Sequence, residues 1–165
     1  MRKRYNILWC CAVFMVCTTV LFSANDINAP HFALCDLDGN YVTLSDLLKK
    51  NNIIIAFWAS YCNPCKVELP QLAALEERYN QSKQIKLIII NIDTEGKEKA
   101  LPVLQELSIG ALCLLDPYQI VVKKYNPDLT IPATFLVTKK GIIIFKAIGE
   151  STENIRNLEL EILKL

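Results

Sequence analysis

The sequence predicts an α/β domain: a mixed β-sheet flanked by helices, preceded by an N-terminal β-hairpin. Three observations carry that expectation. Two isoleucine-rich runs, the continuous apolar NIIIAFWA at 52–59 and IKLIIINI at 85–92, read as buried strands, the first a central strand covered on both faces. Each is followed by a stretch of helical period, as crossover connections between parallel strands require. Alternating apolar and polar residues around Asp38-Gly39, and two apolar runs about a turn at Lys139-Lys140-Gly141, add antiparallel pairs.

The N-terminus has a different character. Arg2, Lys3 and Arg4 precede an uncharged run from Ile7 to Phe22, the form of a signal peptide or an N-terminal signal anchor over residues 1–24. That run is shorter than the ~20 residues that span a bilayer comfortably. A cut after Ala24 is disfavoured by the bulk of Phe22, so cleavage stays open. Trp9 and Val16 disfavour lipid attachment at Cys10 or Cys17, and a buried N-terminal helix is the bland alternative. Under the signal reading the basic end stays in the cytoplasm and the remainder is exported to the cell envelope, on the periplasmic or extracytoplasmic side.

The order of elements follows. Residues 25–30 read as a polar linker and 31–165 as the domain. HFALCDLDGNYVTLSDL, from His31, is the leading hairpin, turning at Asp38-Gly39. The strand at 52–59 comes next, then a helix from about Asn63, whose Val67, Leu69, Leu72, Leu75 and Tyr79 make its apolar flank. The strand at 85–92 leads to a helix over Gly96–Leu107 containing Pro102, and Ala111–Leu115 reads as a short strand. Asp116-Pro117 reads as an N-cap and first-turn proline opening a helix to about Tyr125. Ala133–Val137 and Ile142–Ala147 form a second hairpin about Lys139-Lys140-Gly141, and Ser151 opens the last helix.

Composition narrows the function. Eighteen Lys plus Arg balance 17 Asp plus Glu, and 52% of residues are hydrophobic. The chain offers no basic stripe for nucleic acid. Of seven cysteines, Cys10, Cys11 and Cys17 lie in the apolar N-terminal run and read as small hydrophobes. Cys35, Cys62, Cys65 and Cys113 lie outside it, and export places them where disulfides persist.

The chemistry centres on WASYCNPCKVELP, Trp58 to Pro70. Its two cysteines stand where a buried strand passes into a helix, and free N–H groups and the helix dipole there stabilise an anion. A Cys62 thiolate should therefore form below the free-thiol value of ~8.5. Cys65, one turn along, faces inward, so Cys62 is the expected nucleophile and Cys65 the resolving thiol. Pro64 suits a first turn, which needs no amide donor there. Three alternatives stand beside this. A closed zinc site wants four Cys or His ligands, and Cys35, Cys113 and the sole histidine, His31, form no second cluster. A purely structural disulfide is the second, and a hydrolytic thiol enzyme, with only His31 as its imidazole base, the third. Glu68 follows Cys65 by three residues and shares its side of the helix, where a carboxyl can relay a proton; an exposed helix glutamate is the plain alternative. Trp58 and Tyr61 flank the pair, either shielding it and presenting an apolar face to partners or, for Trp58, packing in the core.

FWASYCNPCKVELP resembles the active site of the thioredoxin superfamily and, more narrowly, of exported TlpA/ResA-like thiol–disulfide oxidoreductases. The resemblance covers roughly residues 30–160 and takes in the leading hairpin, LLDP, TIPATFLV and the Lys139–Gly149 hairpin. It implies a thioredoxin-like fold with an N-terminal hairpin extension, and disulfide reduction or exchange in other envelope proteins. It also implies a redox-active Cys62–Cys65 disulfide in place of any cofactor or metal. An acid at Glu68 matches the pattern. Local sequence leaves Pro132 open between a strand's first residue and a cis-proline; the resemblance implies cis, with the Ile131 backbone free to pair with an extended substrate. An upstream membrane or envelope thiol reductase would supply electrons, and apocytochrome c is a substrate class implied by resemblance alone. With no His or Lys between the cysteines, a reductant is favoured over a strong oxidant.

Two further functions are kept in view, a copper or zinc chaperone and a thiol peroxidase. Peroxidases of this fold place Pro and Thr or Ser before the reactive cysteine, where this chain has Ile55 and Ala59. Cys35 and Cys113 are not part of the family's active-site pattern and read either as two buried thiols or as a second disulfide.

Overall fold

The buried strands organise the molecule. A computed structural model describes residues 27–165, and the basic and apolar segment read as a signal at 1–24 lies outside the described residues. Eight strands of the described residues form one mixed sheet: β1 (Ile27–Asn28), β2 (Ala33–Asp36), β3 (Tyr41–Thr43), β4 (Asn52–Trp58), β5 (Ile85–Asn91), β6 (Leu112–Leu115), β7 (Ala133–Val137) and β8 (Ile142–Ile148). Among the described residues five helices flank it: α1 (Leu44–Leu48), α2 (Asn63–Tyr79), α3 (Lys97–Glu106), α4 (Ile120–Tyr125) and α5 (Thr152–Lys164). Spatial order is β1-β8-β7-β4-β5-β6-β2-β3.

β4, β5 and β6 run parallel, with Ile55 opposite Ile88 and Ile89 opposite Cys113. β7 joins β4 antiparallel, Phe135 opposite Ile55. Every residue of β4 is buried, as its Ile-rich run predicts for a strand covered on both faces. On one face Phe57, Phe135 and Tyr125 cluster with ring centroids 5.2–6.0 Å apart, Phe135 edge to face with each of the other two. Strand side chains alternate, so Ala56 and Thr134 point to the other face, which α2 covers. α5 is tied to α2 there: Tyr79 donates its hydroxyl to Glu159 at 2.7 Å and Arg78 pairs with the same carboxylate.

The leading hairpin forms as expected. Asp36 Oδ1 accepts from the Asp38 and Asn40 amides, each at 2.9 Å, and Gly39 takes φ +86°, a conformation open to glycine. Gly141 takes φ +80° in the second turn for the same reason.

Three expectations are corrected. Within the stretch read as linker at 25–30, of which 27–30 are described, Ile27–Asn28 form β1: Ile27 pairs with Ile143 at the sheet edge, and Ala29 is buried. A two-residue strand has too little pattern to show in sequence. The TLSDLL stretch after the hairpin is the short helix α1, capped by Thr43, whose Oγ1 accepts from the Asp46 amide at 3.1 Å. The helix expected from Pro117 starts at Ile120, because Gln119 adopts the left-handed conformation (φ +56°) and breaks the turn. Asp116 caps it from further back, its carboxyl accepting from the amides of Ile120, Val121 and Val122 at 2.8–2.9 Å.

Candidate active site

All the loops that matter lie at the carboxyl end of the parallel strands, where open α/β sheets place their sites. β4 ends at Trp58, three residues follow, and Cys62 becomes the N-cap of α2. Its backbone is extended (φ −88°, ψ 96°), as an N-cap requires, and its amide donates to Ala59 O at 3.1 Å. Pro64 sits in the first turn without breaking a bond, and the helix runs on through Pro70.

Cys62 and Cys65 are joined by a disulfide, with Cα atoms 5.3 Å apart. Cys62 is 6% exposed and Cys65 1%, so both are buried and the N-terminal cysteine is the less buried of the two. The Cys65 amide donates to Cys62 Sγ at 3.2 Å. When the S–S bond opens, that donor and the helix N-terminus face a developing thiolate on Cys62.

One turn further, Glu68 is buried at 9% exposure beneath the dithiol turn. Thr134 Oγ1, on β7, donates to Glu68 Oε1 at 3.2 Å. Burial pushes the Glu68 carboxyl up to about 7, the Thr134 hydrogen bond pulls against that rise, and the Glu150 charge adds to it. A narrow cleft of about 40 Å³, between the start of α2 and the start of α5, connects Glu68 to the surface past Glu150. The plain alternative of an exposed helix glutamate does not describe this residue.

The Ile131–Pro132 peptide is cis. Ala133 stands opposite Phe57, so Pro132 lies at the end of the sheet where β4 hands over to the dithiol loop. Pro132 O accepts from the Gly149 amide at 2.8 Å, and among the described residues neither backbone polar group of Ile131 has a backbone partner.

Trp58 requires a correction. It is 1% exposed, so its ring belongs to the core and offers partners no surface. The last residue of a doubly covered strand has no wet side. Tyr61, 69% exposed, is the aromatic that faces solvent beside the pair. Cys113 is also buried, and burial pushes its thiol up to about 12. Cys35 is half-buried, and both are free thiols, which removes the second-disulfide reading. Across the β2–β6 ladder Cys35 stands opposite Leu115, offset from Cys113 by two positions.

Sequence reading missed one polar cluster. Asp93, just past β5 and 3% exposed, accepts from the Ser60 amide (2.8 Å), Ser60 Oγ (2.9 Å) and Asn91 Nδ2 (2.7 Å). The signal was available: two polar residues, Asn91 and Asp93, interrupt the end of an otherwise isoleucine-rich run.

A family model, the AhpC/TSA family, matches residues 26–146. The chain belongs to the AhpC/TSA family. Within this thioredoxin-like family, the chain is similar to the thiol-disulfide oxidoreductase ResA of Bacillus subtilis, 27% identical over 83% of this chain and 74% of that one. Among solved structures it resembles StoA from Bacillus subtilis, with TM-score 0.63 and 25% identity over 80% of this chain and 96% of that one. The thioredoxin domain of a thiol-disulfide oxidoreductase from Bacteroides vulgatus matches in fold, with TM-score 0.71 and 22% identity over 85% and 99%. The AhpC/TSA match ends in β8, so α5 is not part of it.

Proposed function

We propose that this thiol–disulfide oxidoreductase works outside the cytoplasm, reducing disulfides in exported proteins. The observation that carries the reading is the Cys62–Cys65 bond at the mouth of α2, with a backbone donor on Cys62 and a carboxyl tuned to about 7 one turn below. The relatives named as thiol-disulfide oxidoreductases support the same chemistry.

The steps follow from the geometry. In the reduced protein the Cys62 thiolate attacks a substrate disulfide, forming a mixed disulfide and releasing one substrate thiolate, which takes a proton from water. Glu68, ionised, accepts the Cys65 proton. The Cys65 thiolate then attacks Cys62 Sγ, and the second substrate sulfur leaves as a thiolate. The protein ends with the Cys62–Cys65 bond seen in the structure, having given two electrons. An upstream membrane or envelope thiol reductase returns them, so the dithiol itself replaces an organic cofactor. Pro132 closes one side of the docking groove and the Ile131 backbone pairs with an extended substrate strand, a β-addition supported by its free polar groups. Apocytochrome c, whose haem-binding cysteines must be reduced, is the client class we propose. The basic-then-apolar N-terminus supports export as a cleaved signal or an anchor; among the described residues no helix is long and apolar enough to cross a membrane.

Trapping tests the assignment. Cys65→Ala should strand clients on Cys62 as mixed disulfides, identifiable by mass spectrometry, while Cys62→Ala should trap none. Equal trapping by both variants overturns the roles. A purified protein that leaves a disulfide-bonded test protein intact in the presence of a dithiol donor overturns the function.

A further inference from the structure

The disulfide is itself a tether: while it is closed, Cys62 is tied covalently to α2. Once it is reduced, Cys62 is the residue that must stay in place, because there the Cys65 amide and the end of α2 reach its sulfur. Ala59, Ser60 and Tyr61 connect it to β4. Of these, Ser60 is the one held to a neighbouring strand by its side chain, through the hydroxyl and the amide that both end on Asp93.

Asp93 is itself fixed. Its amide donates to Asn91 Oδ1 at 3.2 Å, Asn91 Nδ2 returns a bond to Asp93 Oδ2, and the intervening Ile92 amide bonds Trp58 O at 3.0 Å. Three donors converge on a carboxyl that is nearly sealed from water, so its orientation is determined. The neighbouring turn is registered to the same point: the Asp116 amide donates to Asn91 O at 2.8 Å and Gln119 Nε2 to Ile92 O at 3.3 Å.

We infer that Asp93, acting through Ser60, is the positioning residue that keeps Cys62 on the end of α2 when the disulfide is open. The inference rests on the nucleophile role proposed for Cys62. It assigns to Asp93 no contact with substrate. Its effect is on where the sulfur stands, and hence on how readily the sulfur ionises.

Ser60→Ala is the informative variant, since it removes one of the two tethering bonds without altering charge. Each variant is made in the full chain carrying Cys65→Ala, so that Cys62 is the thiol under study. Ionisation and attack are both read from the rate of Cys62 alkylation against pH, located by peptide mapping, because absorbance would sum over the other cysteines of the chain. We expect Ser60→Ala to move Cys62 ionisation towards the free-thiol value of ~8.5 and to slow alkylation near neutral pH about threefold or more. Ser60→Thr, which keeps the hydroxyl, should track the parent. Asp93→Ala, which removes both bonds, should go further than Ser60→Ala. Should Asp93→Ala fail to fold, the two Ser60 variants still decide the matter. A parent whose Cys62 ionises early and is unmoved by Ser60→Ala overturns this inference alone, as does Ser60→Thr behaving like Ser60→Ala. A parent whose Cys62 ionises like a free thiol overturns the nucleophile assignment beneath it.

Discussion

Thr134 Oγ1 donates a hydrogen bond to Glu68 Oε1 at 3.2 Å, joining β7 to the helix that carries the dithiol. The bond favours the charged carboxylate, against the burial that opposes it. Thr134→Val keeps the shape and deletes the donor, removing about 1 kcal/mol of support for the ionised form. The Glu68 midpoint should then rise above its value of about 7. Carboxyl chemical shifts followed against pH will show it; an unmoved midpoint would mean that the hydroxyl contributes nothing.

Glu68 also makes stability pH-dependent. Its folded-state midpoint of about 7 lies above the ordinary 4.5, so between those values the folded protein holds a proton that the unfolded chain has released. Stability from this group is complete below 4.5 and is lost as pH rises through about 7, on the order of 3 kcal/mol in all. Glu68→Gln should flatten that decline, read as denaturant midpoints of the oxidised protein across the window. It should also slow release of trapped substrate by Cys65, since the proton acceptor is gone. A wild-type stability that rises through this window contradicts the assignment.

The two free thiols should differ sharply in reactivity. Cys113 is 2% exposed and its thiol is pushed up to about 12, whereas Cys35 is half-buried at the sheet edge. Under native conditions an alkylating reagent should label Cys35 and spare Cys113 until denaturant is added, with peptide mapping as the readout. Labelling of Cys113 at the same rate would show that β6 opens locally.

Asp116 gives a stability test away from the dithiol. One buried carboxyl caps α4 through three amides, so Asp116→Ala leaves all three donors unpaired. A loss of about 1–3 kcal/mol is expected in denaturant unfolding. Asp116→Asn, which retains one acceptor, should lose less. Equal losses would show that the charge matters more than the bonds.

Much of this protein was legible from residue order. The isoleucine runs announced β4 and β5 because a strand covered on both faces has no room for polar residues. The dithiol announced its place because an N-terminal turn with a proline and a good apolar flank reads as the start of a helix. Even the cis form of Pro132 was implied, though by resemblance to a family and not by local chemistry. The spacing of Glu68 from Cys65 placed both on one side of α2, though not that Glu68 is buried there.

Tertiary structure decided what depends on neighbours remote in sequence. Trp58 was open between a docking surface beside the dithiol and a core residue, and the cover on both faces of β4 decides for the core. Glu68 is tuned by Thr134, 66 residues away, and Ser60 is held by Asp93, 33 residues away. Periodicity along a chain reports which side of an element is dry. It is silent on which polar groups from other elements arrive there, and the hydrogen bonds that set a buried charge are made with those groups. The redox pair was therefore written in thirteen consecutive residues, while the groups proposed to time its protons and hold its sulfur came together only when the sheet was assembled.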